Sequence, residues 1–151
     1  MDSETKEKIS ELKEEKWMKV EMTFEVLGMA KDVVKSSLKE HVEKMKQLKT
    51  AFVYEAKFST VDEVENPMKG VEKAYSQIVE MGLMVRDLKT LIALSISFGP
   101  SSVEVIEPTK IEVNSGEVQD ISNMISGVIH QIAAAGAGGI IATPKSVKSC
   151  G

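Results

Sequence analysis

Hydrophobic positions follow two different periods along the first third of the chain. Every second residue from Met18 to Val26 is apolar, and the residues between them are polar. An alternation of this kind predicts a strand with one solvent-facing side, which ends at Gly28. From residue 30 to 48, apolar residues instead recur every three or four positions, which predicts an amphipathic helix lying on a sheet. Its apolar stripe consists of Val34, Leu38, His41, Val42 and Met45.

The same two periods return between residues 50 and 113. Alternation predicts strands over 50–58, 74–86 and 102–107, and Ile111 and Val113 are expected to extend the edge of the sheet. A helical period predicts a second helix over 88–98. The polar stretch 59–73 is predicted to be the longest loop, since it contains Asn66-Pro67 and Gly70.

Local signals support these boundaries. Asp87 is expected to cap the helix 88–98, whose apolar face is predicted to hold Leu88, Leu91, Ile92 and Ile96. Gly99-Pro100 ends that helix, because glycine accepts the left-handed cap conformation and proline cannot continue a helix. Gly82 is placed on the polar side of its strand, where it could mark a bulge.

The resulting order is strand, helix, strand, strand, helix, strand. It predicts an α+β fold, a ferredoxin-like two-layer sandwich with an antiparallel sheet and both helices on one face. Core methionines are expected at four in-phase positions. These are Met18, Met22, Met45 and Met81.

Additional segments flank this predicted domain, which covers 17–113. Residues 1–16 are rich in charge and predict a mostly solvated helix that starts after Ser3 and leans on the domain through Ile9 and Leu12. Asn114 and Glu117 have the spacing of a capping box, which predicts the start of a third helix within 114–135. Its stripe contains Val118, Ile121, Ile125, Val128, Ile129 and Ile132. Residues 136–151 are a Gly/Ala-rich segment followed by a polar tail.

Two segments carry a resemblance to a known family. Phe24-Glu25-Val26-Leu27-Gly28 leads into a Lys/Glu-rich helix, and 100–108 reads Pro-Ser-Ser-Val-Glu-Val-Ile-Glu-Pro. Between about Lys19 and Ala135, the chain resembles a family of small uncharacterised archaeal proteins with a ferredoxin-like α+β core. The resemblance implies this fold and no particular activity. The helix before Trp17 and the segment after Gln131 are expected to be additions to the family pattern.

Composition excludes several functional classes. The 151 residues carry a net charge of −4, and Arg86 is the one arginine, which disfavours nucleic acid as a partner. Cys150 is the one cysteine, so neither an internal disulfide nor a multi-thiolate zinc site is expected. The charged N-terminus lacks a secretory signal, which predicts a cytoplasmic protein.

No catalytic residue, metal ligand or cofactor is predicted. His41 lies between Leu38 and Val42 on an apolar stripe and has no evident nucleophile or carboxylate partner. A histidine at the core margin, bonded to backbone or water, explains it better than catalysis does. An enzyme is therefore the least favoured class.

The most unusual feature is the absence of charge from Ile121 to Pro144. A membrane span over 121–144 is the less favoured explanation, because serine, asparagine, glutamine and glycine dilute the segment. An apolar surface buried against another subunit or protein explains it more simply. The leading hypothesis is a non-enzymatic protein that self-assembles or binds a protein partner. The predicted interface residues are Val128, Ile132, Ile140 and Ile141.

The alternative is a regulatory domain of the ACT type that binds a small molecule. Its ligand is expected near the first strand–helix turn and the turn before the last strand. The residues concerned are Gly28, Ser101 and Ser102.

Overall fold

The structure is a computed structural model that describes residues 1–136. It contains four helices and five strands within that range. They are α1 Ser3–Glu14, β1 Met18–Gly28, α2 Lys31–Lys46, β2 Ala51–Phe58, β3 Asp62–Met68, β4 Val71–Val85, α3 Leu88–Phe98, β5 Ser102–Glu107 and α4 Ser115–Ala134.

The five strands form one antiparallel sheet in the order β2-β4-β1-β5, with β3 also paired to β4. The 15-residue strand β4 pairs with β1 from Tyr75 to Val85. On its other edge, β4 pairs first with β3 and then with β2. The α+β class and the antiparallel sheet predicted from the sequence are thereby confirmed.

The prediction of a long loop over 59–73 is wrong. The segment contains β3 and the start of β4, which form a hairpin that turns at Lys69–Gly70. The hairpin has little apolar content because β3 is an edge strand, where charged residues such as Glu63 and Glu65 remain in water. Its polarity therefore hides it from a search for buried strands.

The main core lies between the sheet and the helices α2 and α3. The predicted stripe of α2 is confirmed, since Val34, Leu38, Val42 and Met45 are at most 1% exposed. The four core methionines are also confirmed. The sheet contributes Met18, Val20, Met22, Phe24, Val79, Met81, Leu83 and Val85.

Helix α3 begins and ends where the sequence predicts. The Asp87 carboxylate accepts a hydrogen bond from the Thr90 N–H at 2.8 Å, and Gly99 adopts the left-handed conformation with φ 61°. The predicted apolar face is only partly right. Leu91 is buried together with Leu94, whereas Ile96 is 39% exposed.

Helix α1 packs through Ile9 and Leu12, as predicted, against Met84. Met84 points away from the main core because its neighbours on β4 point into it. Trp17, Phe52 and Tyr54 surround this second cluster. The N-cap is Asp2, which accepts a hydrogen bond from the Thr5 N–H at 2.7 Å, so the prediction of Ser3 was one residue late.

The chain divides into two compact units, Met1–Ile111 and Glu112–Gly151. Strand β5 ends at Glu107, and Ile111 and Val113 do not extend the sheet as expected. Both side chains are more than 40% exposed, so neither is held by burial in the register of a strand. The described part of the second unit is dominated by α4.

Candidate interaction surface

Helix α4 starts at a side-chain cap. The Asn114 Oδ1 accepts a hydrogen bond from the Glu117 N–H at 2.9 Å, as the sequence predicts. Glu117 also places a negative charge in the first turn, where the helix dipole favours it. Both effects help a 20-residue helix that has no buried residue.

One face of α4 carries a regular apolar stripe. We define the α4 stripe as Val118, Ile121, Ile125, Val128 and Ile132. These residues are separated by three, four, three and four positions, the spacing that keeps side chains on one seam of a helix. The exposed fractions at 118, 125 and 132 are 49%, 44% and 42%. Large aliphatic side chains at regular spacing therefore remain in contact with water.

The predicted interface residues fall into two groups. Val128 and Ile132 both lie on the α4 stripe, Val128 half-buried and Ile132 exposed. Ile140 and Ile141 lie outside the described residues, as do Cys150 and most of the Gly/Ala-rich segment. The predicted contacts involve the third helix and the segment 133–142, but Val118, Ile121 and Ile125 are not among the four residues predicted for the interface.

The flanks of the stripe are also free of charge beyond the first turns. After Asp120, the described part of α4 contains neither acidic nor lysine or arginine side chains. Met124 and Ile129 lie beside the stripe, and Ile129 is 57% exposed. Asn123 and His130 lie on the opposite side of the helix. The helix is thus apolar on one broad face and polar on the other.

The residues of the small-molecule alternative do not gather in one place. Ser101 donates hydrogen bonds to the Thr23 carbonyl oxygen, from its N–H at 2.8 Å and from its hydroxyl at 3.1 Å. Ser102 pairs with Thr23 in the sheet. Gly28 lies five residues further along β1, about 17 Å away in an extended strand.

Gly28 has a packing explanation of its own. A Cβ atom at this position would lie 2.9 Å from the Val34 Cγ2, so the glycine permits the close approach of β1 and α2. Packing alone therefore accounts for a glycine at position 28, and a ligand is not required to explain it. The ligand-binding alternative stays a prediction.

His41 occupies the position expected of a structural histidine. Its Nε2 lies 2.9 Å from the carbonyl oxygen of Phe98, the last residue of α3. Since a carbonyl only accepts hydrogen bonds, the Nε2–H donates. The ring also makes edge contacts with Phe24 and Phe98, with centroids 4.9 and 5.2 Å apart. The bond to backbone confirms the interpretation of His41 as a residue at the core margin.

A shallow acidic cleft lies on the side of the sheet that faces away from α2 and α3. It is lined by residues of three neighbouring strands, which include Glu21, Thr23, Glu55, Lys57, Glu80 and Gly82. Lys57 pairs with Glu55 at 3.3 Å. Burial, followed by the charges of Glu21, Glu55 and Glu107, raises the pKa of the nearby Tyr54 phenol above its ordinary value.

Residues 1–136 offer neither a metal-binding cluster nor a membrane-spanning helix. No group of three or more histidine, cysteine, aspartate or glutamate side chains is arranged there to hold a metal ion. Over the same range, no helix combines the length and the hydropathy that a membrane crossing requires. The α4 stripe is therefore the feature of this range that most needs a functional explanation.

Comparison with known proteins identifies the family of the chain. The sequence pattern of the MJ0538 family matches residues 4–147. The chain belongs to the MJ0538 family. This is an uncharacterised family named after a Methanocaldococcus protein, in agreement with the resemblance to small archaeal proteins. No curated protein matches the chain at a significant level.

The match to the MJ0538 family is longer than the resemblance found in the sequence. It includes α1, all of α4 and residues up to 147, whereas the resemblance extended from about Lys19 to Ala135. The expectation that both ends are additions to the family pattern was therefore wrong. The α4 stripe belongs to the part of the chain that the MJ0538 family defines.

Proposed function

We propose that this protein is a non-enzymatic protein that assembles with further copies of itself through the α4 stripe. One observation carries the proposal: a helix of 20 residues has no buried residue although it presents Val118, Ile125 and Ile132 on one face. Contiguous exposed apolar patches on proteins mark sites of association.

The energetics favour covering the stripe. Full burial of one valine or isoleucine side chain is worth about 1.5–3 kcal/mol. The stripe has five such residues, each still partly in water, so its burial supplies on the order of 5 kcal/mol per helix. Two or more helices together can offset an association cost of about 4–15 kcal/mol. Hence assembly, rather than permanent exposure, is the expected state.

Self-association is favoured over a different protein partner because the stripe is complementary to itself. Side chains spaced by three and four residues on one helix fit between side chains of the same spacing on another. The absence of charged side chains from Ile121 to the end of α4 also removes repulsion between copies along most of the seam. A different protein partner remains an outcome that the test below distinguishes, and the cytoplasm is the proposed location.

The fold proposal accompanies this function. We propose that β1, α2, β2, β4, α3 and β5 form a ferredoxin-like unit into which β3 is inserted as part of a hairpin. The order β2-β4-β1-β5, with every neighbouring pair antiparallel, supports it. In this proposal, α1 and α4 are the elements outside the ferredoxin-like unit.

Two variants test the assembly. Ile125→Glu places a charge in the middle of the stripe, and Asn123→Glu places the same charge on the opposite side of the same helix. We expect Ile125→Glu to lower the solution mass to that of one chain, 16.5 kDa, and Asn123→Glu to retain the mass of the wild type. Both variants should keep the far-ultraviolet circular dichroism of the folded sheet.

Equal solution masses of Ile125→Glu and Asn123→Glu would overturn the proposal. If the wild type itself has the mass of a single chain, self-assembly through the α4 stripe is wrong. If all three proteins are equally large, the contact lies elsewhere on the molecule. A loss of folded signal in Ile125→Glu is resolved by Ile125→Ser, which weakens the stripe without adding charge.

A further inference from the structure

We infer that the α4 helices assemble as a parallel bundle of three or four copies rather than as a pair. The inference rests on the proposed function, since it specifies the number of copies that meet at the α4 stripe. Three features of α4 carry it: the seam, the shape of the side chains in it and the apolar residues beside it.

The seam has the period of a coiled coil. In a heptad written a to g, Val118, Ile125 and Ile132 occupy positions a, and Ile121 and Val128 occupy positions d. The helix is continuous from Ser115 to Ala134 and contains every one of these positions. Each a or d side chain can then enter a hole between four side chains of a neighbouring helix.

The shape of the seam side chains selects the number of helices. Every a and every d position of α4 has a β-branched residue, and none has leucine. Parallel pairs favour β-branched residues at a with leucine at d, whereas isoleucine at both positions shifts the preference to three or four helices. The d positions Ile121 and Val128 therefore decide against a pair.

The residues beside the seam agree with this number. In a pair, positions e and g are typically charged and lie at the edge of the contact. In α4, position g at 124 is methionine and position e at 129 is isoleucine, which is 57% exposed. The other e and g positions are polar and hold Glu117, Ser122 and Gln131. A bundle of three or four helices gives every helix two neighbours and covers this broader apolar face.

A parallel arrangement leaves most of the seam without charge and confines the like charges to one end. Glu117 and Asp120 are the charged residues of α4, and both lie near its N-terminus, where the helix dipole favours negative charge. From Ile121 to Ala134 the parallel helices meet without charged side chains. Three or four equivalent copies around one axis also satisfy the closed cyclic symmetry of most homo-oligomers.

The test changes the branching of the seam side chains and keeps every one of them aliphatic. The double variant Ile121→Leu/Val128→Leu places leucine at both d positions and keeps β-branched residues at a. We expect light scattering to give three or four times 16.5 kDa for the wild type, and twice that mass for the double variant. The matched control, Ile125→Leu/Ile132→Leu, puts leucine at two a positions and should retain more than two copies.

The outcomes separate this inference from the proposed function. A wild type of two copies that Ile125→Glu dissociates would leave self-assembly standing and overturn the bundle. A wild type of one copy would overturn both. A mass of three or four copies that the d-position variant leaves unchanged would also contradict the inference, because the shape of the seam would then not set the number.

Discussion

The ring of Tyr54 lies directly against the backbone of Gly82 on the neighbouring strand. A Cβ atom at Gly82 would be 2.6 Å from two carbons of this ring and 2.8 Å from its hydroxyl oxygen. Tyr54 is the extra residue of a bulge in β2, since Val53 pairs with Leu83 and Glu55 pairs with Gly82. The glycine and the bulge therefore belong to one arrangement, in which the missing side chain makes room for the ring.

A side chain at 82 should disturb this arrangement. We expect Gly82→Ala to destabilise the protein by about 1–3 kcal/mol, because overpacking forces the ring or the strand to move. Chemical denaturation of the variant and the wild type measures the difference. A second measurement in a Tyr54→Leu background is the control, where alanine at 82 should cost little since the ring is gone. Equal costs in both backgrounds would show that the ring is not responsible.

Lys16 lies two residues after the end of α1 and has a backbone conformation that favours glycine. Its φ is 70°, and the two hydrogen bonds Lys16 N–H to Lys13 O and Trp17 N–H to Leu12 O, both 3.0 Å, form a Schellman motif. We expect Lys16→Gly to stabilise the protein by about 0.5–1 kcal/mol, because glycine adopts positive φ without strain. Lys16→Ala removes the same charge but keeps a Cβ, so it should bring no gain. Thermal unfolding midpoints of the three proteins check this, and a gain in both variants would assign the effect to charge.

His41 connects α2 to the end of α3. We expect His41→Phe to cost about 1 kcal/mol, because the ring contacts persist while the Phe98 carbonyl loses its donor. His41→Ala should cost about 2–3 kcal/mol, since it also leaves a space between Phe24 and Phe98. Denaturant unfolding compares both with Lys39→Ala on the exposed side of α2. If the phenylalanine and alanine variants are equally unstable, ring packing is not part of the contribution of His41.

The cap at Asp87 predicts a dependence of stability on pH. Burial by itself would raise the pKa of this carboxyl, but hydrogen bonds from Thr90 and the charge of Arg86 together lower the pKa below its ordinary value of 3.8. A carboxylate with a lowered pKa in the folded state stabilises the fold above the unfolded pKa, and this stabilisation disappears as the pH falls through the folded value. The wild type should therefore lose stability relative to Asp87→Asn below pH 4.

Asparagine is the matched comparison because it caps a helix equally well without titrating. The free energy of unfolding of the wild type minus that of Asp87→Asn should be constant above pH 5. Below pH 4 this difference should fall, because the wild type alone loses stability when its cap is protonated. Asp87→Ala should cost about 1 kcal/mol at neutral pH. A difference that is independent of pH from 2 to 7 would exclude the ionised cap.

The elements with a clear apolar period could be predicted because burial imposes that period. The strand from Met18 and the helix from Lys31 bury one side each, and both were located within three residues of their ends. The hairpin of β3 was missed since its residues remain largely in water and leave no apolar pattern. The alternation in β2, which predicts that Phe52, Tyr54, Ala56 and Phe58 share one side, is misleading for another reason. The bulge at Tyr54 reverses the sides, so Phe52 and Tyr54 face α1, whereas Val53 and Ala56 join the main core.

The apolar stripe of the candidate site could be predicted from the sequence, but its exposure could not. The apolar stripe of α4 is visible in the sequence, because it lies within one helix and needs no tertiary information. That none of its residues is buried is visible only in the structure. The separation of Gly28 from Ser101 likewise depends on Ser101 lying beside Thr23 of β1, which is a property of strand register and not of the local sequence.

The solution mass of the unmodified protein tests the account most directly. Light scattering on a sizing column, in reductant and at two concentrations a hundredfold apart, should give a whole-number multiple of 16.5 kDa, three or four at the higher concentration. Dilution should shift that mass toward a single chain if the stripe is the main contact. A protein that elutes as a single 16.5 kDa chain at both concentrations would contradict self-assembly through α4.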